Sequence, residues 1–286
     1  MTSHLQKNRV SVVLATRNEE SNIGRCLDSL LEQTHPDIEI IVVDNQSKDR
    51  TREIAKEYQV PVLNLPDHIN LDGILNFRGA QVNLGVSRST GEYLFFPDAD
   101  MTFDKELLAE AVEQLKTYSA LYIPEIIMGK GWLGKIRNFE RSFYEMTCID
   151  APRLVRRTLY EEVKGFDEKE IAFAPDDWDL AKKFKKQGAH FQITTNKKYH
   201  HEEWLDLKTY LKKKSEYTST FDNYIAKWGK SDPDIKKQFG IGYRYFGVFL
   251  ENGKWKKLLA HPLLTLGMYF LRFRVGVIYL LKNSSK

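Results

Sequence analysis

Cysteine is nearly absent: Cys26 and Cys148 are the only two in 286 residues. Two thiols make neither a disulfide scaffold nor a cysteine-based zinc site, and they fit a reducing compartment. Acidic residues stop early. None follows Glu251, whereas Lys254, Lys256, Lys257, Arg272, Arg274, Lys282 and Lys286 all do. No apolar run reaches the ~20 uninterrupted residues of a membrane span, because the best candidate, Leu258 to Leu281, is broken by Pro262 and carries Arg272 and Arg274. The stretch before Val10 is polar, so neither a signal peptide nor an N-terminal anchor is expected, and the expected location is the cytoplasm. A large charge of one sign is also lacking: 43 Lys plus Arg against 39 Asp plus Glu leave +4, too little to argue for nucleic acid as a partner. There is no internal repeat and no low-complexity tract. What is present is apolar material, 42% hydrophobic and 12% aromatic, enough to offset chain entropy and exclude disorder as the main state.

The apolar residues are arranged in alternating strand and helix patterns. Val10 to Ala15 and Ile38 to Val43 are short β-branched runs of buried-strand length. Between them Ile23, Leu27, Leu30 and Leu31 recur at helical spacing. A second helix over Arg52 to Tyr58, a strand over Pro61 to Leu65, a helix over Gly79 to Ser87 and a strand over Tyr93 to Phe96 continue the alternation. Further on, helices are expected over Leu107 to Leu115, Trp132 to Glu145 and Leu180 to Gln187, and strands over Leu121 to Ile127 and Phe191 to Thr194. The pattern predicts an α/β fold with parallel pairing and right-handed crossovers, and such sheets bind ligands beyond the carboxyl ends of their strands. After about His201 the alternation stops and lysine-rich helices such as Leu207 to Tyr217 begin.

Several chemistries are missing from those strand ends. No Gly-x-Gly-x-x-Gly follows the first strand and no Gly-x-Ser-x-Gly elbow occurs, which disfavours nicotinamide dehydrogenases and α/β-hydrolases. Gly129 to Lys135 has the spacing of a P-loop, but Ile136 stands where Ser or Thr should bind Mg²⁺. A sugar nucleotidyltransferase would want a glycine-rich loop where Ala15-Thr16-Arg17-Asn18 stands.

The fourth strand runs instead into Asp98-Ala99-Asp100. Two carboxylates one residue apart in a turn can face one cavity, and oxygen ligands suit Mg²⁺ or Mn²⁺, which also takes ligands from a diphosphate. A calcium loop fits poorly, because Phe103 and Ala109 occupy the positions of the required Gly and Glu. The first strand ends in Thr16, Arg17, Asn18 and Glu19, and the second in Asp44 followed by Ser47, so polar groups gather on the same rim. Asp44 can accept from a base or ribose, Arg17 can face a phosphate, and Thr16 can offer its hydroxyl. Helix capping alone accounts for Asn18 and Ser47, but not for Arg17 or Asp44.

Four stretches together carry a resemblance: Ser-Val-Val-Leu-Ala-Thr-Arg-Asn-Glu-Glu, Ile-Ile-Val-Val-Asp-Asn-Gln-Ser-Lys-Asp-Arg-Thr, Gly-Glu-Tyr-Leu-Phe-Phe-Pro-Asp-Ala-Asp, and Gly-Phe-Asp-Glu leading to Pro-Asp-Asp-Trp-Asp-Leu. In this order, over about residues 9–205, the sequence resembles family 2 glycosyltransferases of the GT-A fold, which bind a nucleotide-sugar on one α/β sheet. The resemblance implies a catalytic domain over 1–205, its nucleotide half about 9–105 and its acceptor half about 106–205, followed by a helical extension over 206–286. It implies that Thr16, Arg17, Asn18, Glu19, Asp44, Ser47, Arg78, Asp98 and Ala99 surround a UDP- or GDP-sugar. Asp98 and Asp100 would hold Mn²⁺ or Mg²⁺, with His200, or its neighbour His201, completing the metal shell. Asp177 aligns with the base that takes the acceptor's proton in an inverting transfer. The sequence departs from the family at Val82, where an arginine is common, and Arg78 one turn earlier is the expected substitute. Processive Gln-x-x-Arg-Trp motifs are missing, so a single-sugar transfer is expected. A non-catalytic glycan-binding or nucleotide-sugar-binding scaffold is the competing expectation.

The tail from Lys254 combines cations with large apolar residues. It is expected to lie on the cytosolic leaflet of a membrane, with Lys254, Lys256, Lys257, Arg272 and Arg274 on headgroups and Trp255, Tyr269, Phe270 and Phe273 at the interface; the competing expectation is an amphipathic helix pair packed on the catalytic domain. The acceptor would then be lipid-linked: a polyprenyl phosphate, a lipid-linked oligosaccharide or a lipopolysaccharide-type glycan.

Overall fold

The computed structural model describes residues 5–203, 205–217 and 220–283; Met1 to His4, and Lys286 of the basic tail, lie outside them. The chain forms two compact units, Met1–Pro124 with Ala151–Tyr199 and Glu125–Asp150 with His200–Lys286. The sequence suggested a single boundary near residue 205; instead Glu125–Asp150 groups with the C-terminal segment, because Phe139 and Phe143 from it share a core with Val248, Phe249 and Met268.

In chain order the elements are β1 (Gln6–Thr16), α1 (Ile23–Leu31), β2 (Ile38–Asp44), α2 (Thr51–Glu57), β3 (Val62–Asn64), α3 (Phe77–Ser87), β4 (Gly91–Phe95), β5 (Met101–Phe103), α4 (Leu107–Leu115), β6 (Ala120–Tyr122), β7 (Glu125–Met128), α5 (Gly131–Arg141), β8 (Leu154–Arg156), α6 (Arg157–Glu162), α7 (Asp176–Lys186), β9 (Phe191–Ile193) and β10 (Lys198–His201). Helices α8 (Leu207–Tyr217), α9 (Phe221–Trp228), α10 (Pro233–Phe239), α11 (Val248–Leu250), α12 (Trp255–Ala260) and α13 (Pro262–Asn283) follow.

The first unit is built on a seven-stranded sheet in the order β3-β2-β1-β4-β8-β6-β9. β1 pairs parallel with β2 and β4, and β2 with β3. β8 enters antiparallel between β4 and β6, and β6 runs parallel to β9. The alternation in β1 shows why the sheet is covered on both faces. Val10, Val12 and Leu14 pack on one side with α1 and α4, through Ile23, Leu27, Leu108 and Val112. Val13 packs on the other with Ala80 and Leu84 of α3, Leu159 of α6, and Leu180 and Phe184 of α7. A strand buried on both sides reads as a continuous apolar run, as this one does.

Close approach of α3 to β1 depends on Gly85: a Cβ there would sit 2.3 Å from Val13 Cγ1. Two residues earlier, Asn83 reaches out of the same helix. Its Oδ1 accepts from Phe166 N at 3.0 Å and its Nδ2 donates to Phe166 O at 3.0 Å. The Asn-Leu-Gly and Gly-Phe-Asp stretches are thus two halves of one packing joint in front of α7.

In the second unit α5 and α13 enclose a buried ion pair, Arg272 Nη1 to Glu140 Oε1 at 2.5 Å, with Tyr144 Oη 2.6 Å from the same nitrogen. Arg272 is stacked between Tyr245 and Phe249, each ring centroid 5.0 Å away. This corrects the expectation for two tail residues. Arg272 is a buried structural cation and not a headgroup contact, and Tyr269 packs against the same core. Among the described residues no helix is long and apolar enough to cross a membrane.

Candidate functional site

The carboxyl ends of the first unit's strands fall on one rim. Thr16 closes β1 opposite Asp44, which closes β2, and Ala15 bridges to Asp98 just beyond β4. Asp44 is fully buried. Thr16 Oγ1 donates to its carboxylate at 3.2 Å, Ser47 N donates at 2.9 Å and Ser47 Oγ also donates. Its charge therefore shapes the β2–α2 loop.

That loop is clipped to the β1–α1 loop. Asn18, at φ +56°, donates its N–H to Ser47 Oγ at 2.8 Å and accepts from Lys48 N at 2.9 Å. Glu19 N donates to Thr51 Oγ1 at 2.7 Å. Arg17 is exposed at the lip of the same rim and Ala99 is buried beneath it. Burial pushes the Glu19 carboxyl up to about 7, and the negative field of Asp100, Asp98 and Asp49 adds to it, against one hydrogen bond from Asn22. Negative charge has accumulated here.

Two guanidinium groups answer that charge. Arg78, in the first turn of α3, places Nε 3.1 Å from Asp98 Oδ1 and Nη1 3.2 Å from Asp176 Oδ2 and 3.1 Å from Asp177 Oδ1. Its guanidinium lies 5.5 Å from the Phe166 ring centroid, which fixes its plane. Its Nη2 is buried without a hydrogen-bond acceptor among the described residues. Arg153 faces the same acids. Its Nη2 lies 2.7 Å from Asp177 Oδ2 and 3.2 Å from Asp98 Oδ2, and its Nη1 3.3 Å from Asp98 Oδ1.

Asp98, Arg78, Asp177 and Arg153 thus close a ring that joins the loop after β4 to the N-terminus of α7. Asp177 occupies the first turn of α7 with Asp176 and Asp179, where the helix dipole favours negative charge. Asp176 is buried, and burial followed by the neighbouring Asp177 charge raises its pKa, against Arg78 and Arg153.

Arg153 is absent from the sequence expectation, for a structural reason. It immediately precedes β8, a three-residue antiparallel strand that the alternating pattern does not announce. Its backbone is pinned from both sides, with Arg153 N donating to Leu121 O at 3.1 Å and Phe96 N to Arg153 O at 3.2 Å. Only the pairing of β8 beside the end of β4 distinguishes it from Arg156 and Arg157 nearby. Asp100 lies on the turn following Asp98. His200 belongs to the second unit, where its Nδ1 is 3.1 Å from Glu125 Oε1 and its Nε2 4.0 Å from Glu202 Oε1. His201 Nδ1 lies 2.9 Å from Glu203 Oε1.

Among the described residues no group of three His, Cys, Asp or Glu side chains is arranged to hold a metal ion. The chemistry of the rim nevertheless fits a divalent cation. Two carboxylates stand one residue apart, and after burial their field adds to the raised pKa of Glu19 beside them. Mg²⁺-like ions commonly take one or two protein carboxylates and complete their shell with substrate phosphate and water.

Comparison with known proteins bears on the family and the fold. The family model described as Glycosyl transferase family 2 matches residues 11–165. An uncharacterized glycosyltransferase of Nostoc, alr2836, is 34% identical over 110 residues, covering 38% of this chain and 33% of the relative. The 4,4'-diaponeurosporenoate glycosyltransferase of Staphylococcus haemolyticus is 35% identical over 105 residues, covering 37% of this chain and 28% of the relative. The chain thus matches about a third of the length of these curated relatives. Among solved structures, the mannosyltransferase PcManGT of Pyrobaculum calidifontis, in complex with GDP-Man and Mn²⁺, superimposes with a TM-score of 0.59 at 20% identity, covering 95% of this chain and 87% of that one. At that identity the likeness is one of fold.

Proposed function

The chain belongs to glycosyl transferase family 2 and has the GT-A fold, and from that premise we propose that it transfers one sugar from a UDP- or GDP-sugar to a glycan or lipid-linked acceptor, with inversion. The observation that carries the reading is the ring of Asp98, Arg78, Asp177 and Arg153, which holds two cations in direct contact with one candidate base.

Asp177 is the base in this reading. An acceptor hydroxyl gives its proton to the Asp177 carboxylate as its oxygen bonds to the anomeric carbon. The bond from that carbon to the diphosphate oxygen breaks on the opposite face, and the electron pair leaves with the nucleoside diphosphate. Arg78 and Arg153 receive the diphosphate. The buried Nη2 of Arg78 is a donor with no acceptor from the described residues, and a phosphate oxygen would satisfy it. Asp176, buried beside the base, takes part of the Arg78 guanidinium through a 3.2 Å contact to Nη1. Thr16, Arg17, Asn18, Glu19, Asp44, Ser47 and Ala99 form the nucleoside side of the rim. Asp98 and Asp100 are the carboxylates that would hold Mn²⁺ or Mg²⁺. When bound, that ion supplies charge neutralisation on the diphosphate.

Thermal shift with a panel of UDP- and GDP-sugars in the presence of Mn²⁺ tests the donor class, because a ligand that binds only the folded state raises the melting temperature. A shift with one base and not the other supports the reading and names the nucleotide. No shift with any member would sink it. Donor binding without turnover, at saturating acceptor and metal, would favour the scaffold.

A further inference from the structure

Helix α13 has two apolar faces, and only one of them is used inside its own unit. Met268 and Leu271 are buried, as is the aliphatic stem of Arg272, and Leu264 and Tyr269 pack beside them. On the opposite side Leu263 (67% exposed), Leu266 (69%), Phe270 (58%), Phe273 (63%) and Val277 (36%) recur at intervals of three and four residues. That spacing puts all five on one helix stripe. Single exposed apolar residues are ordinary, but a contiguous row of this size on a folded protein marks an interaction surface. Helix α12 adds Trp255 and Leu259, one turn apart and 45% and 72% exposed.

The charge around the stripe selects the partner. Lys256, Lys257 and Arg274 are exposed on these two helices, and Arg274 lies 6.0 Å from the Phe270 ring. No Asp or Glu follows Glu251 in the whole sequence. Helices α12 and α13 therefore bring no carboxylate of their own to the stripe, which disfavours a basic protein partner. Large apolar side chains whose own helices carry cations and no acids match a surface with negative headgroups over a hydrocarbon layer.

We propose that α12 and α13 lie in the plane of an anionic lipid bilayer, inserting Leu259, Leu263, Leu266, Phe270 and Phe273 below the headgroups. Arg274 and Lys256 meet the headgroup charge. Arg272, locked to Glu140, holds the inner face of α13 to α5 and keeps the outer stripe presented. The inference deepens the transferase reading and rests on it in one respect, since it sets the acceptor's class as lipid-linked.

The test is flotation of the full chain, without nucleotide, on vesicles of equimolar phosphatidylcholine and phosphatidylglycerol, and on phosphatidylcholine alone. Binding to the anionic vesicles is expected. The double variant Leu263→Asp with Phe270→Asp should lower the partition coefficient by at least roughly tenfold, and Lys256→Glu with Arg274→Glu should abolish the preference for phosphatidylglycerol. Both pairs are exposed, so the melting temperature and nucleotide binding should match the parent chain. Three results would overturn the proposal: no flotation of the parent chain, flotation unchanged in the apolar double variant, or a self-associating parent that the double variant splits while neither binds vesicles. Because flotation needs no donor, failure here leaves the transferase reading standing, and failure of turnover leaves this surface standing.

Discussion

Replacing Arg153 by Gln removes the half of the guanidinium pair that only the three-dimensional structure reveals. In the ring Arg153 makes contacts of 2.7 Å to Asp177 and 3.2 and 3.3 Å to Asp98. A forked, charge-assisted contact from Arg to a diphosphate contributes about 1.5–3 kcal/mol. Part of that is offset, because the contacts with Asp98 and Asp177 are given up when the donor arrives. Donor affinity should therefore fall roughly tenfold, near the lower limit of that range. Loss of a cation facing the leaving group should lower kcat by a further factor on the order of 100. Stability should change little, since Asp98 and Asp177 keep Arg78 and their side chains are 32% and 21% exposed. Isothermal titration with UDP and GDP, beside steady-state kinetics, separates these effects. Arg153→Lys keeps the charge without the fork and should fall between. Equal nucleotide affinity in the parent and in Arg153→Gln would refute the assignment of Arg153 to the diphosphate.

Other positions give independent expectations. Gly85→Ala forces a methyl against Val13 and should cost about 1–3 kcal/mol in urea unfolding; an unchanged midpoint would contradict the helix-to-strand contact. Glu19 holds a proton in the folded state from its ordinary 4.5 up to about 7 that the unfolded chain releases. Stability should thus fall as pH rises across that window and level off above it. Glu19→Gln should flatten the fall, worth on the order of 2 kcal/mol at pH 8, as read by chemical denaturation at several pH values. Arg272→Met strands the buried Glu140 carboxylate and should cost about 3–5 kcal/mol, seen as a lower melting temperature; no change would mean the pair contributes nothing.

Local pattern announced the elements whose apolar spacing is unambiguous. The expected helix with Ile23, Leu27, Leu30 and Leu31 is α1, and α4 spans the expected Leu107 to Leu115. The expected break at Pro262 separates α12 from α13. Short elements held by long-range pairing were not legible. β8 has three residues and owes its existence to β4 and β6 on either side, so both the antiparallel insertion and Arg153 escaped notice. The single strand expected over Leu121 to Ile127 is β6 and β7, parted at Ile123-Pro124, where Pro restricts the residue before it. Helix α7 begins at Asp176 and not Leu180, because its first turn is made of acids that carry no apolar period. On the rim, Arg78, Asp98 and Asp177 were each singled out from sequence, but nothing in their spacing disclosed that one guanidinium touches both acids. In the tail, Arg272 looked like its neighbour Arg274; only the packing of α13 on α5 separates a buried cation from an exposed one.

The most direct measurement compares sugar release from the matched UDP- or GDP-sugar, with Mn²⁺, by the parent chain and by Asp177→Asn. The account predicts turnover in the parent, a loss of at least roughly a hundredfold in the variant, and nucleotide binding retained in both. Turnover undiminished in Asp177→Asn would contradict it.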